Sequence, residues 1–135
     1  FKMKIVPIIL IAIIFISGCD RIREACVSEK CFKLEIVDDA EERRIGLMKY
    51  DVLEQNNGMW FIFDGDGRHS IWMKNMKFPI DIIWIDSNYK VVDVKRNAEP
   101  CVDECEIYSP GKDARYVLEV NINSNLNVGD KVEVR

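Results

Sequence analysis

The chain has a single histidine, no Cys-x-x-Cys pair, no excess of basic residues and no apolar run long enough to cross a bilayer. Each shortage removes a class of function. His69 follows a Gly-rich turn, and no serine or cysteine motif accompanies it, so a nucleophile–histidine couple is not indicated. Lack of Cys-x-x-Cys weakens any dithiol oxidoreductase reading. Lys and Arg number 19 against 23 Asp and Glu, a formal net charge of -4. Nucleic-acid binders usually carry a basic face, so no nucleic-acid partner is expected. Nor is there a polybasic patch for anionic lipid heads. The longest apolar run, Ile5 to Ile16, holds twelve residues including Pro7, whereas a membrane span needs about 20. Internal repeats and low-complexity stretches are absent, and the length suits one domain.

What is present at the start is a secretory pattern: Lys2 and Lys4, then the short apolar run, then Ile16-Ser17-Gly18-Cys19. Met3 reads as the natural start residue. A cysteine directly after Ser-Gly resembles the lipobox of prokaryotic lipoproteins, in which that cysteine is lipidated and becomes the first mature residue. The resemblance implies a signal peptide over residues 1–18, lipidation of Cys19, and anchoring at the outer face of the cytoplasmic membrane. Stable attachment would take two or more acyl chains. Asp20 resembles the inner-membrane retention signal of enteric bacteria. Loss of Lys2 and Lys4 with the signal leaves 17 basic against 23 acidic residues, a mature net charge of -6. Residues 19–30 read as a tether and 31–135 as the single domain.

Four further cysteines, Cys26, Cys31, Cys101 and Cys105, are an even set in an oxidising compartment and read as two disulfides. Three connectivities are possible. A zinc site is the alternative, but the C-x4-C and C-x3-C spacings are not those of zinc ribbons. No metal or cofactor is expected.

Alternating Phe32, Leu34 and Ile36 predict a strand over Cys31 to Val37. Asp38 and Asp39 with Glu41 and Glu42 have capping-box spacing and predict a helix over about Ala40 to Tyr50, with Gly46 packing close to a sheet. Strands are expected at 59–63, 70–76, 81–85, 90–95, 115–121 and 131–134, with turns at 55–58 and 64–67. Asn97 to Lys112 reads as a long loop and 125–128 as a helical turn. The fold class is mainly β (α+β): a small antiparallel barrel or sandwich of about seven strands with one short covering helix.

Three blocks follow in order: Arg43-x-x-Gly46-Leu47-Met48, Gly58-Met59-Trp60-Phe61, and Trp72-Met73-Lys74-Asn75-x-x-x-Pro79-Ile80-Asp81. With Tyr108 and Tyr116-Val117-Leu118-Glu119, they resemble the domain of unknown function 192 family, also called uncharacterised protein family 0127. Met76 stands where that family usually has Thr, and Ile71 where an aromatic is common. The resemblance implies a compact β-rich domain, often secreted or lipid-anchored, and brings no established activity.

Trp72, Lys74 and Met76 fall on one strand face. Trp72, Lys74, Asn75 and Asp81 form the candidate ligand site: an aromatic wall, a cation, an amide and a carboxylate. A structural Lys74–Asp81 pair is the plainer reading of the same residues. Glu119, between Leu118 and Val120, is a second carboxylate that could work with Asp81 as an acid–base pair. Met48, Met59, Met73 and Met76 read as core filler rather than soft-metal ligands. Of the tryptophans, Trp60 and Trp84 lie in apolar runs, and Trp72 is the exposed candidate. Together these readings describe a non-enzymatic, membrane-anchored extracytoplasmic domain that binds a small ligand or an envelope protein. The alternatives are a hydrolase acting on envelope glycans through Asp81 and Glu119, and a purely structural lipoprotein.

Overall fold

The computed structural model describes residues 22–135; the signal segment and Cys19 lie outside the described residues. The chain opens with β1 (Ile22–Val27) and β2 (Lys30–Val37), an antiparallel hairpin turned at Ser28, whose φ is 54°. Cys26 stands directly opposite Cys31 and bonds to it. Residues 22–27 are thus a paired strand rather than tether. Arg23 and Glu24 are exposed and Ala25, Cys26 and Val27 are buried in a row, so cross-strand pairing and the disulfide, not apolar alternation, define it.

After β2, Asp39 caps α1 (Ala40–Ile45) by accepting the Glu42 N–H at 2.8 Å. The expected longer helix breaks at Gly46, where φ is +50°, and continues as a 3-10 turn, Gly46–Lys49. A Cβ at Gly46 would lie 3.4 Å from the Phe61 ring, so this glycine serves both the left-handed backbone and the close approach. The crossover returns the chain to lay β3 (Asn57–Gly67) parallel to β2, the one parallel pair in an otherwise antiparallel sheet. β3 runs on through Asp64-Gly65-Asp66-Gly67, predicted as a turn; its register with the strand Ala114–Asn121 shifts between Ile62 and Gly67.

β4 (Ile71–Trp72) and β7 (Ile107–Tyr108) form a separate two-stranded ribbon. The strand expected over 70–76 is therefore only two residues long, because Asn75 at φ 57° turns the chain. The main sheet is completed by β5 (Ile80–Ile85), β6 (Val91–Ala98), β8 (Ala114–Asn121) and β9 (Glu133–Val134) in the order β6-β5-β8-β3-β2-β1-β9. It curls into a half-barrel: Val91 and Tyr89, at the β6 edge, exchange backbone hydrogen bonds with Gly129, Asp130 and Val132 ahead of β9. The mainly β class with one short helix holds. Residues 125–128, expected as a helical turn, form no helix: Asn125 is left-handed at φ 60° and Val128 enters the turn at Gly129.

Two apolar clusters sandwich the sheet. The inner one holds Phe32, Leu34, Trp60, Ile83, Ile85, Leu118 and Val120, closed by Val91, Leu126 and Val132. The outer one holds Met59, Phe61, Ile82, Trp84 and Val117, covered by Leu47, Leu53 and Met73. Every residue of β5 is buried, so a polar side chain on it must find partners. Asp81 finds them on the inner side. Its carboxylate accepts the Asn97 N–H at 2.9 Å, the Ser124 N–H at 3.0 Å and the Ser124 hydroxyl at 2.8 Å, with Arg96 at 3.7 Å. Asp81→Asn replaces an acceptor with a donor facing donors. It is expected to cost about 2–4 kcal/mol, the scale of stranding one or two buried donors. Urea melts of the variant measure it, and an unchanged midpoint would contradict this role.

Candidate functional site

A cleft of about 210 Å³ lies on the outer face, between the crossover, β3 and the segment 70–76. Arg43 and Met48 border it from the crossover, Phe61 and Phe63 from β3, and Trp72, Lys74 and Met76 from the segment after β3. Glu119 of β8 reaches the same space. Its register neighbours are Met59 on β3 and Ile82 on β5, both buried and apolar. The residue is only 5% exposed, and its carboxyl has no hydrogen-bond or ion-pair partner among the described residues. Burial pushes its pKa up to about 8, so it is mostly a neutral acid at pH 7.

The charge around it is positive. The Arg43 guanidinium donates to the Asp38 and Ile62 carbonyls at 2.6 and 2.7 Å and lies 5.1 Å from the Phe63 ring centre. It is held by carbonyls and a ring, not by a carboxylate. The Lys74 ammonium sits 5.2 Å from the Trp72 ring centre, a cation–π contact with no carboxylate partner. Arg44, at the rim, is matched by Glu41 at 2.7 Å.

A disulfide loop holds Lys74 in place. Cys101 and Cys105 are bonded, and the Cys101 N–H donates to the Met73 carbonyl at 3.1 Å while its own carbonyl accepts the Asn75 N–H at 2.8 Å. The backbone on both sides of Lys74 is thus tied to the cystine. Both disulfides join near neighbours in sequence, so no zinc site forms from these cysteines.

Of the four predicted ligand-site residues, the structure brings Trp72 and Lys74 to the cleft. Trp72 is 43% exposed, whereas Trp60 and Trp84 are buried. Asn75 is exposed and shapes the turn through its left-handed backbone. Asp81 is elsewhere: past the Phe78-Pro79 turn, Ile80 and Ile82 point outward and Asp81 inward, so a Lys74–Asp81 pair does not form. Asp81 and Glu119 likewise lie on opposite faces of the sheet, which removes the acid–base pair that glycan hydrolysis would need. Met59 and Met73 are core, while Met48 and Met76 reach the cleft. His69 stacks on Phe63 at 3.8 Å and contacts the Gly65 carbonyl at 2.7 Å.

Arg43 and Phe63 were not foreseen as lining residues. The signal for Arg43 lay in the Arg43-x-x-Gly46-Leu47-Met48 block; for Phe63 there was none beyond its apolar run. A larger groove of about 440 Å³, bordered by Leu34, Tyr50 and Leu53, contains the Glu35 carboxylate. That carboxylate is engaged by Lys49 at 2.7 Å and by the Tyr50 hydroxyl, which makes the Glu119 cleft the better candidate.

A buried acid with a raised pKa has a pH signature. The folded protein holds this proton more tightly than the unfolded chain, so the contribution of Glu119 to stability is greatest below about pH 4.5 and falls as pH rises towards 8. The slope from this group is about 1.4 kcal/mol per pH unit. Glu119→Gln should flatten that window and exceed the native chain in stability by about 3 kcal/mol at pH 7. Urea melts between pH 4 and 9 test this. A variant less stable than the native chain at pH 7 would assign Glu119 a structural role.

Comparison with known proteins places this arrangement in a family. A UPF0127 protein of Thermococcus kodakarensis is 34% identical over 89 residues, 64% of this chain and 52% of its own length. A second, from Thermococcus gammatolerans, is 36% identical over 88 residues, 64% of this chain and 53% of its own length. The chain therefore spans about half the length of these relatives. A Sinorhizobium meliloti crystal structure, described as a candidate transcription regulator, superposes with a TM-score of 0.73 at 27% identity, covering 84% of this chain and 91% of that one. A Novosphingobium aromaticivorans protein of unknown function gives 0.71 at 26%, covering 83% and 82%. The family model of DUF192, Uncharacterized ACR, matches residues 21–134, and the chain belongs to that family.

Proposed function

We propose that this domain binds a small ligand in the Glu119 cleft while held at the outer face of the cytoplasmic membrane by lipid on Cys19. One observation carries the binding half: the carboxyl of a residue only 5% exposed, without a partner among the described residues, reaches a cleft that Trp72 and Lys74 border. Burying such a group costs stability, and the fold gains no contact from it in return. Sites that bind or react are where such groups concentrate. The cleft is smaller than the roughly 300–1,000 Å³ of drug-sized sites, which suits a compact molecule. The anchoring half draws on the lipobox resemblance and on the two disulfides, which fit an oxidising compartment. β1 begins at Ile22, so only Asp20 and Arg21 separate Cys19 from the sheet. The regulator description of the S. meliloti neighbour is not carried over, since a chain of net charge -4 lacks the basic footprint of nucleic-acid binders.

An NMR screen of the full chain in uncharged detergent tests the site, using a mixture of small acids, amines and neutral compounds. Backbone shifts are expected to concentrate at residues 70–76 and around Glu119. Trp72→Ala should abolish them while lowering stability by under about 1 kcal/mol, as for a half-exposed side chain. Shifts confined to the larger groove, or none at all, would contradict the site. The anchor has its own test: Cys19→Ser should move the protein into the soluble fraction or block its processing. A variant still processed and still on the membrane would overturn it.

A further inference from the structure

We propose that the ligand is a small monocarboxylate, its head group held between the Lys74 ammonium and the Glu119 carboxyl acting as hydrogen-bond donor, its apolar body against Trp72 and Phe63. The proposal rests on the binding reading above and adds the chemical class.

The charges facing the cleft decide the sign. From the crossover come Arg43, held by carbonyls, and Arg44, already matched by Glu41. From the segment after β3 comes Lys74, whose cation–π contact leaves its charge uncancelled. Ser70 adds a hydroxyl bonded to Ser109 at 2.7 Å. β3 and β5 face Glu119 with Met59, Phe61, Phe63 and Ile82, none of them titratable. Two cations without carboxylate partners and one neutral acid make a cationic cleft, in a chain whose net charge is negative. A cationic ligand would meet Lys74 and Arg43 without a fixed anion to receive it.

The walls narrow the class further. Phe61, Phe63, Ile71, Met48 and Met76 offer no donors, and with Arg43 and Arg44 already engaged, Lys74 and the Ser70 hydroxyl are few donors for the several oxygens of a phosphate dianion. A carboxylate needs less. One oxygen can face Lys74 and the other can accept a hydrogen from protonated Glu119, a charge-assisted O–H···O⁻ contact of the stronger kind. A neutral acid is the form of Glu119 that its buried position favours, so the donor is present before the ligand arrives. Once Glu119 loses its proton, the donor is gone and two anions face each other.

Affinity should therefore hold steady near neutrality and fall above the Glu119 pKa, by about tenfold per pH unit as the competent protonated fraction shrinks. The full chain in uncharged detergent, titrated with isovalerate, isovaleramide and isoamylamine and followed by the Trp72 and Lys74 amide shifts, tests this. Isovalerate is expected to bind most tightly at pH 7 and to weaken at least tenfold by pH 9.5. In Glu119→Gln, binding should persist with the fall greatly reduced, because the amide donates at every pH. In Lys74→Gln it should weaken at least tenfold at pH 7. Tighter cleft binding of the amide or the amine would overturn the carboxylate class while leaving the site intact. The same pH profile in the native chain and Glu119→Gln would overturn the donor role. Silence from all three probes while the mixed screen still maps to the cleft would overturn the class; silence in both would overturn the site as well.

Discussion

Strand β8 is covered on both faces by the two apolar clusters and flanked by β5 and β3, so the side chains of its central stretch are largely withdrawn from water. Each polar group there must be hydrogen-bonded or carry the cost of dehydration. The sheet holds two such carboxyls within one register step, since Glu119 pairs with Ile82 and Asp81 precedes Ile82. Their fates differ. Asp81 receives three hydrogen bonds and ties the end of β6 at Asn97 and the Ser124 loop to the inner core. Glu119 receives none and faces a cleft. The first is explained by what it holds together. The second has no structural return, and the case for function starts from that asymmetry.

The other parts of the outer face serve to shape the cleft. The crossover lies close over β3 because Gly46 adopts a left-handed φ and leaves room beside Phe61. This brings Arg43 within reach of the Ile62 carbonyl and the Phe63 ring. At Gly58, a Cβ would meet the Glu119 carbonyl at 2.9 Å, so β3 approaches β8 closely beside the buried acid. On the far wall, the Cys101–Cys105 loop grips Met73 and Asn75 and fixes Lys74 between them. These are covalent and backbone constraints, and they fix the backbone positions from which the lining side chains project, which limits the loop ordering that a ligand must bring about.

Much of the fold was legible from side-chain period. Phe32, Leu34 and Ile36 marked β2, and the wholly apolar run Met59 to Phe63 marked the first half of β3. β1 was not legible, because Arg23 and Glu24 show no alternation and the Cys26–Cys31 bond supplies what patterning does not. The β4–β7 ribbon escaped for a similar reason: two-residue strands are defined by pairing, not by period. In the site, Trp72, Lys74 and Met76 all border the cleft, though not as one strand face, since β4 ends at Trp72 and Ile71 borders it too. The error lay in Asp81, because counting faces through the Phe78-Pro79 turn cannot tell which side of the sheet the next strand presents. Asn75, chosen as a ligand amide, was needed for its tolerance of φ 57°. Glu119 was visible as an acid among apolar residues, but its isolation depends on contacts across three strands that no local pattern records.

The account stands or falls on the state of that one carboxyl. A ¹³C NMR titration of the Glu119 side-chain carboxyl in the ligand-free native protein measures it directly. A midpoint near 8 is what the buried, unpartnered group requires. A midpoint near the ordinary 4.5 would mean that water or a partner already satisfies Glu119, and the argument for a binding site at this cleft would fail.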